Sequence, residues 1–278
     1  MNLIAKRFIN FYHLSLIFFV LSCIFFIQNT FSAEGAPCKD YGECDEFKHT
    51  LTDMSSLQRG ASTYLTYCYG CHSLEYSRWN RVASDLEIPE EIFFNNLVFD
   101  ASVKPGDLMA GSMSKTESAE WFGVAPPDLT LVTRLHGSDW VYTYLRTFYE
   151  DSSKQYGVNN LVYPGAAMPN VLASLQGNQQ LICKQIPVIA ENGGEKRDNF
   201  GNTITKEKCG FLSVESGTGT LNKDEFDKLI YDLTNFLTYV GDPDKVERER
   251  IGWYVVFFFI IFTTLASLLY REYQKDYH

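Results

Sequence analysis

Apolar residues recur at three- and four-residue steps in three stretches of the chain, and this spacing predicts three amphipathic helices. The first covers residues 55–67, and the second follows Ser138, which we expect to cap it. The third begins at Asn222, with Glu225 three residues later as in a capping box, and we expect it to end at Gly241. Helices of this kind pack apolar face to apolar face, so the pattern favours a mainly α fold.

The pattern is weaker between these helices. Residues 84–96 are a candidate fourth helix, although Pro89 lies inside it. Residues 104–127 hold several prolines and glycines and are expected to be irregular, and residues 156–170 are expected to form a loop. The expected fold is therefore a helical domain with long loops.

Two further apolar segments lie near the ends of the chain. Residues 1–33 begin with Lys6 and Arg7, continue with a short apolar run and turn small and polar, which is typical of a secretory signal. A retained membrane anchor is the alternative. Residues 251–270 contain no charged side chain and are long enough to span a bilayer as a helix. The alternative there, a buried core helix, is weak because only the polar segment 271–278 follows.

These segments divide the chain into a signal (1–33), a domain (34–250), a transmembrane helix (251–270) and a tail (271–278). The end of the domain, residues 242–250, is expected to be a short charged linker. A signal would place the domain in the periplasm, with a single pass through a bacterial inner membrane and the tail in the cytoplasm.

The chain is acidic, with a formal net charge of −10 at pH 7. An acidic surface repels nucleic acid and attracts basic proteins, so no nucleic-acid partner is expected.

Six cysteines remain after removal of the signal, and four of them lie outside the motif described next. An exported domain favours disulfides, and four cysteines allow three pairings. We favour Cys183–Cys209, with Cys38–Cys44 near the start.

One motif carries the chemistry of the chain: Cys68-Tyr69-Gly70-Cys71-His72. This spacing is the attachment signature of c-type haem, since two thiols add to the two vinyl groups and the adjacent histidine lies under the iron. A redox-active dithiol or a zinc site could also use two such cysteines. Zinc would need two more ligands, and a thioredoxin-like motif would follow a strand. The sequence therefore predicts one covalent haem c with His72 as an iron ligand.

Met168 is the best candidate for the sixth iron ligand. It follows Pro164 and Gly165 and precedes Pro169, so it lies on a constrained loop. A thioether ligand raises the reduction potential and closes the iron to peroxide and oxygen, which favours electron transfer over catalysis. The other histidines and methionines considered are Met54, Met109, Met113, His49, His136 and His278. Among these, His136 is the alternative sixth ligand and would give a bis-histidine site.

Arg134 is a candidate partner for a haem propionate, because a buried carboxylate favours a bidentate cation. A solvent-exposed arginine is the alternative. A large buried cofactor would also account for the long loops, since it supplies core that the chain lacks.

Several segments together resemble the cytochrome c1 family, the haem subunit of the quinol–cytochrome c oxidoreductase (bc1) complex, in its proteobacterial form. Beside the attachment motif, they are Trp121-Phe122-Gly123-Val124-Ala125-Pro126-Pro127-Asp128-Leu129, Arg134, Tyr163-Pro164-Gly165-Ala166-Ala167-Met168-Pro169 and the C-terminal apolar helix. The resemblance implies a cytochrome c-like domain in which Pro127 lies against the haem, Arg134 contacts a propionate and Met168 binds iron.

The resemblance also implies partners. Such a protein would take electrons from the Rieske iron–sulfur protein, pass them to a soluble or tethered cytochrome c, and sit beside cytochrome b in a dimeric membrane complex. Two other classes remain open at this point. One is a free membrane-anchored mono-haem shuttle or the c subunit of an oxidase; the other is a haem enzyme such as a peroxidase.

Overall fold

The computed structural model describes residues 36–111, 113–189 and 193–276. The predicted signal segment lies outside these residues. Helices dominate the described part: α1 (Met54–Tyr67), α2 (Trp79–Asp85), α3 (Glu90–Leu97), α4 (Lys115–Phe122), α5 (Val132–His136), α6 (Ser138–Arg146), α7 (Ala173–Gln176), α8 (Lys223–Gly241) and α9 (Lys245–Asp276). Antiparallel strand pairs are β1 (Leu74–Arg78) with β2 (Leu108–Met109), β3 (Phe148–Glu150) with β4 (Val158–Asn160), and β5 (Gln179–Pro187) with β6 (Thr205–Val214).

The core forms where α1 packs against α8. Both helices bury an apolar face, and Tyr64 of α1 and Phe236 of α8 are each fully buried with ring centroids 5.8 Å apart. Gly60 allows this close approach, because a Cβ built on it would lie 2.7 Å from the Cβ of Phe236. The crossing brings Tyr64, near the end of α1 that leads into Cys68, beside Phe236 of α8.

A buried carboxylate joins the same two helices. Asp232 of α8 is 2% exposed and accepts hydrogen bonds from Arg59 Nε at 2.6 Å and Arg59 Nη2 at 3.1 Å. The Ser56 hydroxyl donates to it as well, at 2.7 Å. A buried charge of this kind fixes the relative position of two helices, because any slippage would leave it unpaired.

The three strongest helix predictions are confirmed as α1, α6 and α8. Asn222 and Glu225 form both hydrogen bonds of the capping box, and α8 ends at Gly241. The cap of α6 is corrected. Gly137 holds the capping position, while the Ser138 hydroxyl is 2.9 Å from the Thr238 hydroxyl and ties α6 to α8.

The weaker predictions need correction. Residues 84–96 form no single helix: α2 ends at Asp85 and α3 begins after Pro89, whose missing N–H suits a helix start. Residues 104–127, expected to be irregular, contain β2 and α4, and Ser114 and Glu117 hold the start of α4. The expected loop 156–170 begins with β4.

The hairpin of β5 and β6 was not predicted. Both of its faces are largely exposed, so no alternation of apolar and polar residues marks it. The Cys183–Cys209 disulfide joins its strands, and Cys38–Cys44 is the second disulfide, so both expected pairings are present.

The connection to α9 is shorter than the expected linker 242–250, because α9 already begins at Lys245. Arg81 of α2 pairs with Asp244 at 2.9 Å, and Arg248 pairs with Asp242. Within the described part of the chain, one helix, α9, is long enough and apolar enough to cross a membrane. None of its most apolar stretch is buried. The expected fold class, a mainly α domain followed by one long apolar helix, is confirmed.

We expect Gly60→Ala to destabilise the protein by about 1–3 kcal/mol, because the added methyl must push α1 away from α8. Unfolding of the detergent-solubilised protein in urea measures this. Gly106→Ala is the control, since a Cβ there meets no atom within 4 Å. Equal stability of the two variants would contradict the close-approach argument.

Candidate functional site

A cavity of about 460 Å³ opens between the ends of several helices and two loops. Five of the six predicted site residues line it: Cys68, Cys71, His72, Pro127 and Met168. Most of the remaining wall is apolar and comes from Phe122, Val124, Ala125, Pro126, Leu129, Val132, Val141, Leu145, Ala166, Ala167, Pro169, Val171, Leu233 and Leu237. Cys68 and Met168, a hundred positions apart, thus meet at one apolar space, whose size is within the range of cofactor sites.

The two thiols lie where α1 ends. Cys68 is the C-cap of α1 and is buried, while Cys71 is partly exposed, and neither is in a disulfide. Burial, reinforced by the neighbouring Cys71, raises the pKa of Cys68 to about 12, and burial also raises the pKa of Cys71. A catalytic dithiol needs a lowered thiol pKa, so these values disfavour the redox-enzyme interpretation of the motif.

His72 has a fixed tautomer. Its Nδ1 lies 2.7 Å from the carbonyl oxygen of Pro127, and a carbonyl only accepts, so Nδ1 carries the proton. Nε2 therefore keeps its lone pair. Burial lowers the pKa of His72, although the Pro127 carbonyl and Asp128 oppose this, and the ring is neutral at pH 7. A neutral imidazole with a free Nε2 and a bonded Nδ1–H is the usual state of an iron-binding histidine.

Asp128 holds the Pro127 carbonyl in place. Its carboxylate accepts hydrogen bonds from the Ser73 hydroxyl at 2.8 Å, the Glu75 N–H at 2.7 Å and the Thr130 N–H at 2.9 Å. Burial acts to raise the pKa of Asp128, but these hydrogen bonds outweigh it and the pKa is lowered. Asp128 is not among the predicted site residues, because no sequence pattern marks a carboxylate that binds nearby N–H and hydroxyl groups.

Met168 has an unexpected neighbour. The Tyr144 hydroxyl, on α6, lies 3.6 Å from the Met168 sulfur and donates a hydrogen bond to it. Tyr144 also lines the cavity, and burial raises its pKa, so the hydroxyl keeps its proton. A thioether sulfur has two lone pairs, and one stays available for a metal. The helical spacing of α6 gave no sign of this contact.

His136 lines the cavity too, so the structure brings both candidate sixth ligands to it. Its ring stacks on Trp140 with centroids 4.4 Å apart, and Trp140 stacks on Tyr144 at 4.9 Å. The stacked rings of His136, Trp140 and Tyr144 form a continuous aromatic row beside the cavity.

Arg134 is the one predicted site residue that does not line the cavity. Arg134 is exposed on α5 and lies close to the end of α8. A Cβ built on Gly241 there would lie 3.4 Å from the Arg134 Cγ. A hydrogen bond from Arg248, supported by the charge of Arg134, lowers the pKa of Asp242 there. The role of Arg134 at a propionate stays a prediction.

These residues fit a covalent haem. Two uncharged thiols, a neutral imidazole with a free nitrogen and a thioether face one apolar cavity. Among the described residues no group of three or more His, Cys, Asp and Glu side chains could hold a metal ion, so the zinc interpretation finds no added ligands there.

Comparison with known proteins agrees with this chemistry. The profile of the cytochrome C1 family matches residues 45–180. Cytochrome c1 of Allochromatium vinosum is 48% identical over 228 residues, which cover 82% of this chain and 87% of that protein. The chain belongs to the cytochrome c1 family.

Two more relatives show how wide the similarity is. A protein of Nitrosomonas europaea named ammonia monooxygenase gamma subunit is 38% identical over 81% of this chain and 85% of its own length. Mitochondrial cytochrome c1 of Schizosaccharomyces pombe is 23% identical over 80% of this chain and 67% of its own length. The first of these carries a different name, while the family profile and the other two relatives agree on cytochrome c1.

Membership of the cytochrome c1 family gives the chain its cofactor and its general role. The family carries covalently bound haem c, and this chain is an electron-transfer subunit of the bc1 type, of proteobacterial kind and anchored to a membrane. The alternative of a free shuttle or an oxidase subunit is not favoured.

We expect Asp128→Asn to lower the free energy of unfolding by about 1–3 kcal/mol at pH 7, because an amide cannot accept all three hydrogen bonds. Since the folded-state pKa lies below the ordinary value of about 3.9, the carboxylate stabilises the fold fully above that pH. Its contribution disappears as the pH falls through the folded-state pKa.

The difference between the two proteins should therefore shrink at acid pH, as measured by urea unfolding from pH 7 down to pH about 3. Glu43→Gln is the control, because it also replaces a carboxylate by an amide, and Glu43 is exposed. A difference that stays constant with pH would contradict the assigned role of the carboxylate.

Proposed function

We propose that this chain takes one electron at a time from the Rieske iron–sulfur protein and passes it to a c-type cytochrome, as part of a quinol–cytochrome c oxidoreductase. The haem would be bonded to Cys68 and Cys71, with His72 and Met168 as iron ligands. The observation that carries this proposal is the bond between His72 Nδ1 and the Pro127 carbonyl, which leaves Nε2 free.

The chain's own residues prepare the site for electron transfer. Haem supplies an iron that changes between the ferrous and ferric states. The Pro127 carbonyl orients His72, and the Tyr144 hydroxyl positions the Met168 sulfur. Apolar walls exclude water, so little rearrangement of the surroundings accompanies a change of charge. With His72 and Met168 both holding the iron, no open site would remain for peroxide, and independent catalysis is not expected.

Met168 is favoured over His136 as the sixth ligand. The Met168 sulfur lies on a loop beside the cavity and has one hydrogen-bond donor. The His136 ring instead stacks on Trp140, in a row with Tyr144, whose hydroxyl bonds the Met168 sulfur. Family membership supports the same choice.

The position of the domain at the membrane supports a role in a fixed complex. Only Asp242, Pro243 and Asp244 separate α8 from α9. Arg81 holds Asp244 at 2.9 Å, and Lys245 Nζ lies 2.9 Å from His49 Nε2. A shuttle needs a long flexible linker, and this connection is short and bonded to the domain.

The proposed partners are those that membership of the cytochrome c1 family implies. Cytochrome b would lie beside α9, the Rieske protein and the acceptor cytochrome would come to the haem domain in the periplasm, and the complex would be dimeric. The acidic surface, with a net charge of −10 for the chain, suits a basic acceptor. Arg134, exposed beside Gly241, remains the proposed partner of a haem propionate.

Met168→Leu should keep the covalent haem but lose the methionine-to-iron absorption band and lower the reduction potential, because thioether ligation raises it. Carbon monoxide should then bind the ferrous protein. Met109→Leu is the control, since Met109 is fully buried but does not line the cavity. An unchanged spectrum in Met168→Leu would rule out Met168 as a ligand.

Blue-native electrophoresis of membranes dissolved in mild detergent tests the assignment to the complex. The haem-stained band should migrate together with cytochrome b and the Rieske protein. A band that migrates alone would favour a free shuttle, and one that migrates with oxidase subunits would favour an oxidase component.

A further inference from the structure

Two consecutive asparagines end strand β4, immediately before the loop that carries Met168. Asn160 is completely buried and Asn159 is 8% exposed. Amides are costly to bury unless they are fully hydrogen-bonded, so two of them side by side need a structural reason. Neither side chain lines the cavity.

The side chain of Asn160 connects the methionine loop to α6. Its Oδ1 accepts hydrogen bonds from the Val162 N–H at 2.8 Å and from the Tyr163 N–H at 3.0 Å. Both residues lie at the start of the loop. The Thr147 hydroxyl donates to the same oxygen at 3.3 Å. Its Nδ2 donates to the carbonyl oxygen of Tyr144 at 2.8 Å.

Asn159 fixes the next part of the loop. Its Oδ1 accepts from the Gly165 N–H at 2.8 Å, three residues before Met168, and its Nδ2 donates to Asp151 at 3.0 Å. Gly165 has a φ of +79°, a backbone conformation that other residues rarely adopt. The two asparagines therefore bind three backbone N–H groups of a segment that forms no ladder of its own.

Tyr144 closes the arrangement. Its backbone carbonyl binds Asn160, and its hydroxyl donates to the Met168 sulfur at 3.6 Å. The start of the loop and its functional side chain are thus both placed against the same residue of α6. Movement of the loop start would carry Met168 away from the Tyr144 hydroxyl.

We propose that Asn160, supported by Asn159, is a positioning residue for Met168 and sets how firmly the thioether holds the iron. This inference rests on the proposed function, in which Met168 is the sixth ligand. Asn160 does not touch the cavity and is no ligand itself. It acts by making loop opening costly, since opening would break the bonds that the Val162 and Tyr163 N–H groups make to a buried amide oxygen.

Binding of imidazole to the ferric protein measures loop opening directly, because imidazole binds iron only when Met168 leaves it. Asn160→Ala should bind imidazole about tenfold more tightly or more, as expected when buried hydrogen bonds of the closed loop are lost. Its methionine-to-iron absorption band should weaken, while a pyridine haemochrome assay should still find one covalent haem for each chain.

Gln179→Ala is the matched control. Gln179 is also a buried amide near the end of α6, and its Nε2 donates to the carbonyl oxygens of Arg146 and Phe148. It makes no bond to the methionine loop. This variant should unfold at a lower urea concentration but bind imidazole as the wild type does, which separates general destabilisation from positioning of Met168.

The outcomes separate this inference from the proposed function. If Met168→Leu changes the spectrum while Asn160→Ala binds imidazole as the wild type does, the ligand assignment holds and the positioning role is overturned. Equal tightening in Asn160→Ala and Gln179→Ala also overturns it. If Asn160→Ala fails to accumulate, Asn159→Ala decides: tighter imidazole binding supports the role, and unchanged binding contradicts it.

Discussion

The hydrogen bond from His72 Nδ1 to the Pro127 carbonyl, 2.7 Å long, is the interaction on which the site depends. It joins two segments more than fifty residues apart and determines which nitrogen of the imidazole can bind iron. Asp128 secures the carbonyl side through Ser73, Glu75 and Thr130. The Tyr64 hydroxyl secures the histidine side by donating to the His72 carbonyl at 2.7 Å. The rest of the domain keeps these groups in position relative to one another.

The packing of α1 against α8 fixes these relative positions. Gly60 permits the close crossing, and Asp232 pairs with Arg59 across it, so the end of α1 is fixed relative to α8. Cys68 follows at that end, and Leu233 and Leu237 of α8 form part of the cavity wall. The short connection to α9, held by Arg81 and Asp244, then fixes the domain close to the predicted membrane helix.

Much of the site could be predicted because its chemistry requires contiguous residues. The proposed haem attachment would use Cys68, Cys71 and His72 together, and Met168 lies between Pro164 and Pro169. The supporting residues could not be predicted, because Asp128, Tyr144 and Asn160 act through contacts with segments distant in sequence or through backbone groups that leave no pattern. Helix α4, in contrast, could have been predicted, because Ser114 and Glu117 form a capping signal that is visible in the sequence. The hairpin of β5 and β6 lacks a buried face and so lacks a pattern.

In the proposed site, one haem is held between the His72 imidazole and the Met168 thioether. Near-infrared magnetic circular dichroism of the ferric protein tests this most directly, because it distinguishes the axial ligand pairs of haem. We expect the charge-transfer signature of histidine–methionine ligation. A bis-histidine signature, which His136 could provide, or a high-spin signature with one position open would contradict it.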